Sequence, residues 1–404
     1  MLNKIINILK EQLYPISLYS RQIAGTIVLL FVTRLLSVHD YGLMRSYVAI
    51  VSFWLMFANL GFNEYILVSS KNVVREVQLK IGLFIINAIL IATLIGIGGL
   101  LSPLESKLIF ILVLLRTFLD GTFFGIMFPY YQASRRFNLI SWINIFYSVM
   151  TIIIALISYL LHFSLAKFLF LGIILGLFNF IQCTFYAKIN YCLVIRHLKD
   201  IFAKIDLSIF AYSGVTLCYY LYNKLPSVYS SLFVTKEDAA LFFSAHAIAS
   251  IIALLIAAQV SKIVPEMINA TIDKVKKIIN YNLKFILTIN TVIFVFFIFF
   301  GKILLNLLYG KTYYMQAYPM LLILTFSNIS IAIAAIYGAY ITASGNQKMK
   351  IRMQIEAIFI TIISLALFNK YGIYAATLAY FLSATHIGIR YVFVTRNLLK
   401  QIKE

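Results

Sequence analysis

The chain has 404 residues, of which 62% are hydrophobic and only 12% are charged, and its mean hydropathy is +0.94. Soluble domains average about 45–50% apolar and about 25% charged residues, so this composition excludes an ordinary soluble domain and indicates a polytopic membrane protein. The formal net charge of +20 raises the question of nucleic-acid binding, which the placement of the cations argues against.

Apolar stretches of about 20 residues, the length that a membrane-crossing helix needs, recur between Pro15 and Thr395. We therefore predict an all-α fold with about 12 transmembrane helices. The predicted spans are 16–37, 45–69, 79–101, 107–129, 139–161, 167–189, 208–232, 239–264, 281–305, 318–343, 351–369 and 371–394.

Clusters of lysine and arginine fall in every second connection between the predicted spans. Lys274, Lys276 and Lys277 form one such cluster, whereas the opposite connections carry mostly single cations, such as Arg45 and Lys302. Cytoplasmic loops of membrane proteins carry the Lys/Arg excess, so the alternation predicts a multi-pass protein with both termini cytoplasmic. Because most of the positive charge follows this rule, we expect contact with membrane lipids and no binding of nucleic acid.

The longest polar connection, Tyr191 to Asp206, is basic and amphipathic, and it divides the chain into an N-terminal six-helix lobe (1–200) and a C-terminal six-helix lobe (201–404). The lobes resemble each other weakly. Residues that match at one constant offset are Leu43/Leu241, Ser46/Ser244, Ala49/Ala247 and Ile50/Ile248. Secondary transporters are commonly built from such repeats with the substrate between them, which predicts two lobes around a central cavity.

Four cations inside predicted spans are candidates for a role within the membrane, where a charge near the centre of the bilayer costs about 2.5–3.5 kcal/mol on insertion scales. They are Arg21, Arg34, Arg116 and Lys224. Only two acids, Glu64 and Asp120, lie at comparable depth, so ion pairing cannot neutralise all four cations. The excess positive charge indicates a hydrated cavity or an anionic ligand.

Arg116 and Asp120 are one helical turn apart on one face, which predicts either a self-neutralising pair or a face that borders the cavity. Arg21 and Arg34 bracket about 20 Å of the first span, as two positions for a crossing anion or as residues that snorkel to the surface. Arg34 can also pair with Asp40. Glu64 is a partner for Arg21 or a ligand of a coupling cation.

Lys224 has no acid within a helical turn and lies roughly 13 Å from the nearer surface, so we expect it to face a cavity. Asn223 precedes it, and Tyr219 and Tyr220 precede Asn223. These tyrosines either stack on a sugar of the substrate or pack against neighbouring side chains. Arg390, near the cytoplasmic end of the last span, is predicted to snorkel.

The sequence offers no catalytic or metal site. The three cysteines and five histidines show no metal-ligand spacing, and His246 and His386 anchor no recognisable catalytic group. No phosphate-binding glycine loop occurs, so ATP hydrolysis and glycosyl transfer are not expected. We predict no cofactor, apart from H⁺ or Na⁺ if an ion gradient drives transport.

Loose motifs along nearly the whole chain resemble one transporter family. They are Thr33-Arg-Leu-Leu36 with Tyr41-Gly42, Asn223-Lys224, Ile263-Val-Pro-Glu266, Leu308-Tyr-Gly-Lys311 with Ala317-Tyr-Pro319, and Tyr371-Gly-Ile-Tyr-Ala-Ala-Thr377. With these motifs the chain resembles a Wzx-type flippase of the polysaccharide transporter family, in the MATE-like MOP superfamily. The resemblance implies export of an undecaprenyl-diphosphate-linked O-antigen or capsule repeat unit across the bacterial inner membrane, by alternating access.

On this interpretation Arg21, Arg34, Arg116 and Lys224 bind the diphosphate, and Asn223, Tyr219 and Tyr220 lie near the glycan. Asp120 and Glu64 tune these cations or bind the coupling ion. The expected partners are the lipid-linked anionic oligosaccharide, a polysaccharide polymerase and a chain-length regulator. In the family, span seven carries an early proline and an acid after the asparagine, whereas here Pro226 is late and Lys224 takes the polar position, so the coupling ion does not carry over.

Two other functions fit a membrane protein of this kind. A MATE-like multidrug exporter of cations needs carboxylates in its cavity, whereas the excess charge here is positive. A membrane-embedded O-antigen polymerase or acyltransferase needs a large external loop with arginine or a buried catalytic histidine, and the predicted external loops are short.

Overall fold

The computed structural model describes residues 17, 20, 21, 23–59, 74–123, 131, 136–187, 208–268, 270–310 and 312–401. The described residues contain no strand and form twelve α-helices. These are α1 (Ile23–Leu35), α2 (Val38–Asn59), α3 (Val74–Leu101), α4 (Lys107–Thr117), α5 (Phe137–Leu160), α6 (Leu165–Ala187), α7 (Ser208–Leu232), α8 (Lys236–Met267), α9 (Ile272–Tyr309), α10 (Tyr318–Ala343), α11 (Gln347–Leu367) and α12 (Ile373–Gln401). The predicted all-α class with twelve helices is confirmed.

Short segments of other helix types join these elements. A π-helical segment, Phe118–Phe123, continues α4 directly, and 3₁₀ turns at Thr312–Ala317 and Asn369–Tyr371 precede α10 and α12. Among the described residues, five helical stretches are long and apolar enough to cross a membrane. They are Val38–Ala58, Asn138–Leu160, Leu165–Tyr186, Ile272–Tyr309 and Tyr314–Ala343. These stretches mark a multi-pass membrane protein.

Local capping sets several helix ends. Ser106 caps α4 by accepting a hydrogen bond from the Ile109 amide, and Thr235 caps α8 by accepting one from the Asp238 amide. Serine and threonine are favoured at this position because their oxygens satisfy amides that have no helical partner. Gly310 ends α9 with φ of 65°, a left-handed conformation that glycine adopts without a steric penalty.

Helix α9 is longer than its predicted span of 281–305. Its 38 residues extend about 57 Å, whereas the hydrocarbon core of a bilayer is about 30 Å thick. Its first turns are amphipathic, with Val275 and Ile279 buried and Lys274 and Lys277 exposed. Hydropathy detects only the apolar part of this helix. Backbone hydrogen bonding and the cap at Gly310 continue the helix beyond that part, so the predicted span was too short.

The chain divides into two compact units, Met1–Ser213 and Gly214–Glu404, with the boundary inside α7. In the first unit α4 packs against α2, α3 and α6. The Phe110 ring lies so close to Gly99 that a Cβ there would overlap it, and the same ring meets the ring of Tyr47 edge to face at 5.4 Å. Small residues in α3 thus let α4 approach closely, as is common in membrane helix packing.

In the second unit α10 is the central helix and packs against α8, α9 and α12. Polar side chains tie these helices to each other's backbone: Asn328 donates to the Ala249 carbonyl at 2.8 Å, and Tyr309 donates to the Ser244 carbonyl at 2.8 Å. In a lipid environment such bonds satisfy groups that water cannot reach.

Candidate functional site

A cavity of about 330 Å³ lies inside the first unit, between α1, α2, α4, the π-helical segment and α6. Apolar side chains form most of its wall, and four charged residues face it among those that the structure describes. The charged residues are Arg21, Arg45, Arg116 and Asp120. Three positive charges against one negative charge give this cavity an anion-attracting character.

Arg116 is held on two sides. Its Nε lies 3.5 Å from Asp120 Oδ2, and both side chains are only about one-fifth exposed, at 19% and 21%. Its guanidinium also lies over the Phe168 ring, 4.7 Å from the centroid, which is a cation–π geometry. The predicted pair one turn apart is confirmed, and the pair also borders the cavity. This cavity lies within the first unit, so the predicted position of the pair at a central cavity between the lobes stays a prediction.

Asp120 lies in the π-helical segment and contacts a second arginine through its backbone. Arg21 donates from Nη2 to the Asp120 carbonyl at 3.4 Å, and the Arg21 guanidinium lies 5.6 Å from the centre of the Tyr147 ring. Asp120 Oδ1 is buried and has no hydrogen-bond partner in the part of the chain that the structure describes. Isolated π-helical turns occur frequently at functional sites, because they redirect side chains and backbone groups.

Arg45 was missed by the sequence reasoning, which placed it in an external loop. In the structure α2 begins at Val38 because Ser37 caps it: the Asp40 amide donates to Ser37 Oγ at 3.0 Å, and Ser37 Oγ donates to Asp40 Oδ2 at 2.7 Å. The helix thus starts seven residues before the predicted span and places Arg45 two turns inside it. The pattern Ser37-Val-His-Asp40 is a capping box, which marks the start of a helix. It was the signal in the sequence that α2 begins before the predicted span.

The remaining candidates in the first unit are Arg34 and Glu64. Arg34 lies on α1 with an exposed side chain and does not line the cavity. Asp40, its suggested partner, is bonded to Ser37. Glu64 lies outside the described residues. The roles of Arg34 in substrate binding and of Glu64 as a partner of Arg21 or a ligand of the coupling ion stay predictions.

The candidates from span seven lie together on α7 in the second unit. The Tyr219 ring contacts the rings of Tyr220 and Tyr222, each at 5.7 Å between centroids. Asn223 donates its amide to the Tyr219 carbonyl at 2.9 Å, and Lys224 is half-buried. Tyr219 and Tyr220 remain 46% and 39% exposed, so parts of both rings are accessible.

A second charged cluster, which the sequence did not reveal, joins α11 to α12. Arg390 donates from Nε and Nη2 to the two oxygens of Glu356 at 2.8 and 3.0 Å, and His386 Nε2 lies 3.2 Å from Glu356 Oε2. A carboxylate on the neighbouring helix thus binds both donors of the Arg390 fork, whereas the predicted snorkelling of Arg390 stays a prediction. The residues are 34 positions apart, so no local pattern encodes the pair.

Comparisons with known proteins place the fold. No family model and no curated protein matches the sequence. A solved lipid II flippase MurJ, in an inward closed conformation, is 16% identical and matches with a TM-score of 0.71 over 95% of this chain and 87% of its own. An inward-facing multidrug resistance MATE transporter of the MOP superfamily is 11% identical and matches with a TM-score of 0.67 over 95% of each chain.

The chain has the fold of the MOP-superfamily transporters. A third match, a MOP transporter from Pyrococcus furiosus, is 13% identical, with a TM-score of 0.62 over 97% of this chain and 95% of its own. For that transporter, a reversed polarity of the binding pocket suggests a different function. The MOP fold is a two-lobe fold, and the twelve described helices divide accordingly into two units. At these identities the likeness shows the fold alone.

Proposed function

We propose that this MOP-fold chain is a Wzx-type flippase, which moves an undecaprenyl-diphosphate-linked oligosaccharide across the bacterial inner membrane by alternating access. The observation that carries the proposal is the cavity of the first unit, where three arginines surround one aspartate. The negative charge of such a substrate is concentrated at its diphosphate. Arginine binds phosphate oxygens with two parallel donors, and the bonds are stronger in a low dielectric than in water.

The size of the cavity suggests how the substrate is divided between sites. Its volume of about 330 Å³ is at the lower end of the roughly 300–1,000 Å³ range of small-molecule pockets. It suits a diphosphate better than a whole oligosaccharide. We therefore assign the diphosphate to Arg21, Arg45 and Arg116. The glycan is assigned to Tyr219, Tyr220 and Asn223, with Lys224 as a further cation for the substrate.

Asp120 supplies a coupling element for this transport. Its carboxylate binds Arg116 in the described state, and a diphosphate that binds Arg116 competes for the same donors. The displaced carboxylate then takes up H⁺ or Na⁺, and Glu64 is the second candidate for that role. Both termini are proposed to be cytoplasmic, and a polysaccharide polymerase and a chain-length regulator are the proposed partners.

Export of cationic drugs is the rival with the same fold, since one matching structure is a multidrug resistance transporter. A cation needs carboxylates in its cavity. Among the described residues that line the cavity of the first unit, Asp120 is the single acid, and Arg116 already binds it. The balance of charge therefore favours an anionic substrate.

An enzymatic function finds no support in the described histidines. His246 stacks on the Phe242 ring at 5.7 Å and meets the Tyr380 ring edge to face at 5.9 Å, which is a packing role. His386 lies against Glu356 beside Arg390.

The decisive experiment replaces the chromosomal gene by an R116A allele in a bacterium that makes the cognate polysaccharide. A flippase defect leaves single, unpolymerised lipid-linked units inside the cell and abolishes surface polysaccharide, while immunoblotting finds the protein in the membrane. Chain-length analysis of the lipid-linked sugars separates this from a polymerase defect. Normal surface polysaccharide together with sensitivity to cationic drugs would overturn the proposal in favour of drug export.

A further inference from the structure

Helix α6 presents a continuous stripe of three residues to α4 and the π-helical segment. The stripe consists of Phe168, Gly172 and Gly176, which are four positions apart and therefore lie on one helix face. Both glycines are buried. Glycine is unfavourable inside a helix relative to alanine, so two buried glycines on one face require a reason in the packing.

The neighbours of the two glycines are the charged pair of the cavity. A Cβ on Gly172 would lie 2.8 Å from Arg116 Nε, 2.9 Å from Cζ and 3.0 Å from Cδ. A Cβ on Gly176 would lie 2.9 Å from Leu119 Cβ and 3.2 Å from Asp120 Oδ1. The two missing side chains thus leave the space in which Arg116 and Asp120 lie.

This arrangement differs from the usual use of paired small residues in membrane helices, where they let two backbones approach. At Gly172 the neighbouring group is a charged side chain, and the atoms in contact belong to the outer half of Arg116. Gly99 provides the contrast within the same unit, because the group against it is the apolar ring of Phe110.

We propose that Gly172 and Gly176 are positioning residues, which hold the Arg116–Asp120 pair at the wall of the cavity with Arg116 oriented for an anion. Phe168 forms the base of this position, since the guanidinium lies over its ring. The proposal deepens the proposed function and rests on it for the identity of the anion. The orientation of Arg116 itself rests only on the packing.

The consequences of the two glycines differ in a testable way. An alanine at 172 meets the rotatable part of Arg116, so the guanidinium moves while the backbone keeps its place. An alanine at 176 meets Leu119 Cβ, which is fixed to the backbone, so the π-helical segment itself must move. We therefore expect G172A to fold normally and G176A to be less stable.

Binding of inorganic pyrophosphate to the purified full-length protein measures the effect on the cavity. We expect G172A to weaken pyrophosphate binding at least tenfold, with an unliganded Tm close to that of the wild type. G98A is the matched control, since a Cβ there meets nothing within 4 Å, and it should bind like the wild type. G99A tests packing alone: it should lower the Tm and leave the affinity within about twofold, because it contacts Phe110 and not Arg116.

Second-site variants show whether Gly172 acts through Arg116. In an R116A background all three side-chain atoms that a Cβ at 172 would meet are gone, so G172A should weaken the remaining pyrophosphate binding less than threefold relative to R116A alone. An equal loss of pyrophosphate affinity in both backgrounds would overturn the proposal. Unchanged pyrophosphate binding in G172A would also overturn it.

A wild-type protein that binds no pyrophosphate would contradict the diphosphate assignment, and the packing claim can still be decided. The Tm of D120A then gives the answer. It should fall by about 2 °C in the wild type, because Arg116 loses its partner, and by less than half of that in a G172A background, where the guanidinium has already moved away from Asp120. An equal fall in both backgrounds would overturn the positioning role.

Discussion

Arg116 Nε lies 3.5 Å from Asp120 Oδ2, so the best-placed cation of the cavity is already bound to an anion of its own chain. The two residues follow each other by one turn across the junction of α4 and the π-helical segment. Both side chains are only partly buried, which leaves the cavity side of the guanidinium open to a ligand. An anionic substrate must therefore compete with Asp120 for Arg116.

Replacing Asp120 with asparagine removes the competing charge and keeps the shape of the side chain. Partly exposed ion pairs contribute up to about 1 kcal/mol, so we expect D120N to bind pyrophosphate up to roughly fivefold more tightly. Isothermal titration of the purified protein measures the change. Export in cells should nevertheless fall, because the carboxylate that re-binds Arg116 after release is absent. Weaker binding of pyrophosphate by D120N would show that Asp120 orients Arg116 and does not compete for it.

Substitutions of Arg45 and Arg34 test which of the two arginines binds the diphosphate. Arg45 lines the cavity, whereas Arg34 is exposed on α1. We expect R45A to reduce surface polysaccharide at least tenfold, because one of the three cavity cations is lost. R34A should reduce it by less than twofold. Quantitative staining of surface polysaccharide, corrected for protein in the membrane, measures both. The opposite order would move the diphosphate site away from the cavity.

Substitutions of Lys224 test whether the cation on α7, in the second unit, takes part in substrate binding. K224A should abolish surface polysaccharide while the protein still inserts, and K224R should retain a substantial part of it because the charge remains. Membrane fractionation with immunoblotting controls for insertion. Normal polysaccharide in both K224A and R116A would contradict the view that cations in the spans bind the substrate.

The Glu356–Arg390 pair joins α11 to α12 and should contribute to the stability of the second unit. Its side chains are about one-third exposed, so removing one partner should cost about 1 kcal/mol, or roughly 2–4 °C in Tm. R390A should show this loss. R352A is the matched control: Arg352 lies 3.9 Å from the same carboxylate but is 83% exposed, so its loss should leave the Tm unchanged. Thermal unfolding of the purified variants measures both, and equal losses would contradict the structural role of the pair.

The sequence predicted the helices well wherever one apolar stretch corresponded to one helix. It failed at helix ends that polar residues determine: α2 begins at Val38 because Ser37 caps it, and α9 extends from Ile272 to Tyr309 beyond its apolar middle. The error in α2 also hid Arg45. Hydropathy reports the region in contact with lipid, whereas hydrogen bonding and capping decide where a helix starts and stops.

The sequence by itself determined the class of the protein, its twelve helices and the pairing of Arg116 with Asp120, because composition, stretch length and four-residue spacing are local properties. Only the tertiary structure decided that Arg21, Arg45 and Arg116 share one cavity, that Gly172 leaves room for Arg116, and that Glu356 binds Arg390. These relationships join residues that are tens of positions apart. They depend on how closely packed helices approach each other, which no local pattern of residues encodes.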